Sequence, residues 1–74
     1  MKLSQLKVGQ KVRIKTISEQ SVKVTLASLG ILAGDEVEIT SKGLMGDPIS
    51  FKHRGKHFFA LRRKQANHIE VIDC

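Results

Sequence analysis

The six residues Lys11-Val12-Arg13-Ile14-Lys15-Thr16 alternate basic side chains with apolar or β-branched ones, without a break. A period of two puts Val12, Ile14 and Thr16 on one face of a strand and Lys11, Arg13 and Lys15 on the other, so the segment lies on a core with one side in water. Asp35 to Ser41 carries the same pattern, with Val37 and Ile39 inward and Glu36 and Glu38 outward. If the two strands are neighbours, basic and acidic side chains face each other across the pair. Folding a chain this short buries only about 60% of the surface the unfolded chain exposes, so nearly every apolar side chain is needed in one core.

The remaining elements are short and separated by tight turns. Leu3 to Leu6 reads as one helical turn, leading through Val8-Gly9-Gln10 into the first strand. In Ser21 to Leu29, the residues Val22, Leu26 and Leu29 recur at i, i+4 and i+7 and define one face of an amphipathic helix. Ser21 is its expected N-cap, and Gly30 its left-handed terminator. Ile31 and Leu32 are expected to return to the core, with Gly34 turning the chain into the second strand. Lys42 to Asp47 is a loop with an apolar tip, Leu44-Met45, and Pro48 drives the residue before it into extended geometry. A hairpin follows, with Ile49, Phe51 and His53 on one arm, Arg54-Gly55-Lys56 at the turn and His57 to Leu61 on the other arm. Arg62 to Asn67 reads as a helical turn, and His68 to Ile72 as a last strand with Ile69 and Val71 inward. The fold class is therefore all-β with one short helix, in a single domain spanning residues 1–74. About five strands closing on themselves, with no exposed edges, predict a small SH3-like barrel.

Composition narrows the function. The longest apolar run, Leu26 to Ala33, is interrupted by Ser28 and Gly30, and Cys74 is the only cysteine, so the reading is a cytoplasmic protein without a disulfide framework. Its formal net charge of +6 attracts phosphates, anionic lipid or acidic protein surfaces. No enzyme signature is present. Gly43-Leu44-Met45-Gly46-Asp47 lacks the spacing and the lysine of a phosphate loop, and none of the six serines sits in a nucleophile context.

The chain as a whole resembles the FeoA family. The resemblance is carried by Leu26-Ala27-Ser28-Leu29-Gly30-Ile31 with Gly34 and Val37, by Gly46-Asp47-Pro48-Ile49, and by Gly55 followed by Ala60-Leu61-Arg62-Arg63. Ala33 stands where many relatives have proline, which loosens that turn. The resemblance implies a standalone SH3-like domain of bacterial ferrous iron uptake. It also implies a partner, the cytoplasmic portion of the GTPase-bearing membrane transporter FeoB, and hence peripheral association with the inner membrane. Similarity extends to the C-terminal domain of iron-dependent repressors, without their DNA-reading helices.

Small barrels recognise partners through loops and the grooves between them, where apolar side chains anchor and charges steer. The candidate partner-binding residues are Lys23, Ser28 and Ile31 around the end of the helix, Leu44, Met45 and Asp47 at the loop tip, and Arg54, Arg62 and Arg63 as steering charges. No catalytic, cofactor or metal residue is assigned. His53 and His57 can face each other across the hairpin, yet a third ligand is missing from the pattern. The alternative function is a small nucleic-acid-binding module, because Lys52, Arg54, Lys56, Arg62, Arg63 and Lys64 concentrate positive charge in one third of the chain. The same charges can adjoin anionic lipid. Single-strand readers add aromatic stacking platforms, and Phe51, Phe58 and Phe59 are the only rings here.

Overall fold

A computed structural model describes every residue from Met1 to Cys74. Its elements are β1 (Lys11–Ile17), α1 (Gln20–Ser28), β2 (Glu36–Lys42), β3 (Ile49–His53), β4 (His57–Leu61), α2 (Arg63–Ala66) and β5 (Ile69–Asp73), with short 3₁₀ turns at Leu3–Gln5 and Leu44–Gly46. The five strands form one antiparallel sheet in the order β4-β3-β2-β1-β5. Val12 pairs with Val37 on the core side, while Lys11 faces Glu38 and Arg13 faces Glu36 on the wet side, so the two alternating strands meet with opposite charges in register.

The curled sheet wraps one core of 15 buried residues, to which every strand, α1, α2 and the N-terminal turn contribute. Phe51 is its largest member, and Val22 and Leu26 are what α1 puts into it. Four local expectations are corrected. Thr16 points to solvent and Ile17 packs on the core, because the β1–β5 pairing shifts between Ile14 and Thr16 and reverses the alternation beyond the bulge. Glu19 caps α1 in place of Ser21; its carboxylate accepts the Ser21 N–H at 3.3 Å and the Ser21 hydroxyl at 3.2 Å. Leu29 and Leu32 are 44% and 55% exposed, since the left-handed Gly30 turns the chain so that Ile31 alone drops into the core. The sheet also does not close. Met1 and Lys2 cover the outer edge of β5 through the Val71 N–H and a bridge to Glu70, but no strand lies beyond β4.

Asp35 is the residue the alternation misplaces. It does not begin β2 but sits just before it, 7% exposed, as a buried carboxylate. One oxygen accepts the Leu32 N–H at 3.0 Å and a hydrogen bond from His53 Nε2 at 2.8 Å, and the other accepts Arg54 Nη2 at 2.9 Å. Its own backbone carbonyl accepts the Ile14 N–H at 2.9 Å. Burial by itself pushes this carboxyl up, but the Leu32 N–H, His53 and Arg54 together outweigh it and hold the pKa at about 2, against an ordinary 3.8.

Because the folded pKa is depressed, the unfolded chain binds the proton more tightly. The stabilisation is complete above pH 3.8 and is lost as pH falls toward 2. The shift corresponds to about 2 kcal/mol, an upper figure given that Arg54 is largely in water. Asp35→Asn is expected to lower stability by about 2–4 kcal/mol at neutral pH. It should also flatten the acid limb of the stability profile, as measured by urea unfolding at a series of pH values. An unchanged acid limb in the variant would show that Asp35 does not carry it.

Candidate functional site

The β2–β3 connection is built to hold two apolar side chains in water. The Gly43 N–H donates to the Pro48 carbonyl at 2.7 Å, and inside that closure the Gly46 N–H reaches the Gly43 carbonyl at 2.9 Å and the Asp47 N–H reaches the Leu44 carbonyl at 3.2 Å. Gly43 is needed for close approach, because a Cβ there would lie 2.7 Å from Pro48 Cδ and 2.8 Å from the Asp47 carbonyl carbon. Asp47 is extended, as its position before proline requires. At the tip, Leu44 is 90% exposed and Met45 87%. Met45 holds a left-handed φ of 57°, a conformation that costs a side-chain-bearing residue about 1 kcal/mol.

The start of α2 props this tip from the side. The Arg63 N–H donates to Asp47 Oδ1 at 3.1 Å, Arg63 Nη1 lies 3.4 Å from the Met45 carbonyl, and Arg62 Nη1 is 3.9 Å from Asp47 Oδ1. Leu44, Met45, Asp47, Arg62 and Arg63 therefore form one patch: an apolar knob beside two guanidiniums.

The other candidate residues do not join it. Lys23 flanks a groove of about 260 Å³ between α1 and β1, lined also by Lys15, Ile17, Ala27 and Leu32. Ile31 forms its floor at 1% exposure, and so belongs to the core more than to any contact surface. Ser28 is exposed, and its hydroxyl donates back to the Thr25 carbonyl at 2.6 Å. Arg54 lies apart from this patch as an arm of the Asp35 cluster, with its side chain 65% exposed.

His53 and His57 do face each other across the hairpin. His53, however, is buried with Nε2 on Asp35, and no three His, Cys, Asp or Glu side chains gather where they could hold a metal ion. Of the rings, Phe51 is buried and Phe59 half-buried against it, with centroids 6.0 Å apart. Phe58 alone is well exposed, at 69%, and one ring is not a stacking platform for nucleic acid. No helix is long and apolar enough to cross a membrane. Sequence reasoning missed the Asp35 cluster and the contact of Arg63 with the loop. The one available signal for the first was a lone aspartate directly after Gly34, where the strand pattern expects no buried charge.

Comparison with known proteins decides the family. The FeoA domain model matches residues 1–73. The chain belongs to the FeoA domain family. That family is linked to ferrous iron transport. FeoA from Chlorobium tepidum superposes with a TM-score of 0.88 at 31% identity over 99% of this chain and 70% of that one. Iron(II) transport protein A from Clostridium thermocellum gives 0.87 at 35% identity, over 99% of this chain and 45% of that longer one. The zinc complex of FeoA from Stenotrophomonas maltophilia, described as a procaryotic SH3 domain protein, gives 0.82 at 27% identity over 97% and 89% of the two chains. A manganese-dependent transcriptional repressor shares the fold, with a TM-score of 0.88 at 18% identity over 41% of its length. The comparison with curated proteins gave no match. The expected SH3-like fold class and FeoA membership thus stand, with the sheet left open at β4.

If the tip is held as described, Gly43→Ala has to displace the loop backbone, at a cost of about 1–3 kcal/mol. In a domain of this size the melting temperature should fall by at least about 5 °C. An unchanged melting temperature in thermal denaturation would mean the loop relaxes freely around the added methyl.

Proposed function

We propose that this FeoA protein is a cytoplasmic accessory subunit of bacterial ferrous iron uptake that docks on the cytoplasmic portion of a FeoB-type transporter and regulates or assembles it. The observation that supports this reading is the Leu44–Met45 knob. A chain this small cannot spare core residues, yet two of its large apolar side chains stand almost wholly in water on a braced loop. Apolar anchors ringed by arginine are what the centre of a protein interface uses, with the guanidiniums steering approach to an acidic surface. Nothing in the site moves bonds, so its work is binding.

Met45 also separates contact from stability. Its left-handed φ suits glycine, so Met45→Gly is expected to raise stability by about 0.5–1 kcal/mol while deleting the side chain. Met45→Asp keeps the fold and places a charge in the contact. Both are expected to weaken capture of the transporter from solubilised membranes by about tenfold or more, the effect of removing an interface anchor. Capture should be compared with and without guanine nucleotide. Retention at wild-type levels by both variants would remove the loop from the interface, and no capture by the wild type under any condition would remove the transporter as partner.

A further inference from the structure

We propose that the outer edge of β4 is a second docking site, which takes an extended, acidic-ended segment of a partner protein as an added β-strand. The two edges of the sheet are finished differently. β5 is covered by Met1 and Lys2 and carries Glu70. β4 ends the strand order, and no backbone hydrogen bond from outside the sheet reaches residues 57–61. Exposed edges are ordinarily blunted by lysine, proline or a bulge. The run His57-Phe58-Phe59-Ala60-Leu61 has no acidic residue, lysine, arginine or proline, and its pairing with β3 is unbroken.

Backbone alternation identifies the groups on offer. The Arg54 N–H points to Glu36 on β2, whereas the His53 carbonyl accepts the Lys56 N–H on the β4 side. Ile49, Phe51 and His53 therefore turn their backbone groups to Leu61, Phe59 and His57, and the N–H and C=O of Phe58 and Ala60 point out from the sheet. Beside them the Phe58 ring is 69% exposed, with Lys52 Nζ 5.9 Å from its centroid, and supplies an apolar contact for a side chain of the added strand.

Charge selects the occupant. Two copies pairing antiparallel about Phe59 would set Lys56 against Arg62 at both ends of the pair, on top of a net charge of +6 on each chain. The same two cations favour a strand with a carboxylate at each end and five residues between. This inference stands apart from the transporter reading, since its probe is a peptide and its variants leave residues 43–47 as they are.

The test uses the full chain with two heptapeptides, Glu-Val-Thr-Val-Thr-Val-Glu and the same peptide with lysine at both ends. Binding is followed by fluorescence anisotropy and by amide exchange at Phe58 and Ala60. The acidic peptide should bind and protect both amides, and the basic one should bind at least about tenfold more weakly. Ala60→Pro removes an outward N–H without touching a β3 bond and should abolish binding. Lys56→Glu, in the turn, should weaken the acidic peptide and leave the fold unaltered, which keeps the test open if the proline variant misfolds. Equal affinity for both peptides, no binding of either at millimolar concentration, undiminished binding by both variants, or protection of the two amides by dimer formation without peptide would each overturn the proposal.

Discussion

The structure depends on one buried carboxylate. Asp35 joins the turn after α1 through Leu32, the end of β3 through His53, the hairpin turn through Arg54 and, by its own carbonyl, β1 through Ile14. In a domain that buries so little of its surface, apolar contacts alone leave these segments loosely placed relative to one another. A buried charge with unmet hydrogen bonds is costly, whereas one with its acceptor sites filled specifies a single arrangement. No buried side-chain nitrogen or oxygen in the molecule lacks a partner. The carboxylate therefore orients the β3–β4 hairpin, and with it the open edge of β4.

The sheet fixes where the exposed tip stands. The Leu44–Met45 tip has no packing role, but it springs from the end of β2, returns into β3 and leans on α2 through Asp47 and Arg63. Its left-handed Met45 is local strain that the surrounding hydrogen bonds hold, and strain of this kind collects where a side chain must be presented. On the proposed reading, a loop backbone already held in place has less conformational entropy to lose when the tip docks.

Local order was legible in the sequence wherever a period or a turn residue sets it. The alternation of β1 and β2, the His53–His57 register, the Gly30 terminator, the extended residue before Pro48 and the inward Ile69 and Val71 all follow from rules that act over a few residues. Where a distant partner decides, the local rule failed. Asp35 is buried because His53, 18 residues on, meets it. The Thr16–Ile17 reversal comes from a bulge against β5, and Leu29 is exposed because the chain turns at the left-handed Gly30 to bury Ile31 in its place. The loop tip was visible as an apolar pair between glycines, but whether it folds inward or stands out depends on Arg63, 16 residues beyond Asp47. Family resemblance supplied the fold and the iron connection without placing any of these contacts.

The proposed docking of this domain through its braced tip is tested most directly by titrating the isotope-labelled chain with the cytoplasmic portion of the ferrous iron transporter and following every backbone amide by NMR. Shifts and line broadening are expected to concentrate on Leu44, Met45, Asp47, Arg62 and Arg63, with the amides around Asp35 unmoved. Perturbations confined to the α1–β1 groove around Lys23, with the tip silent, would contradict it.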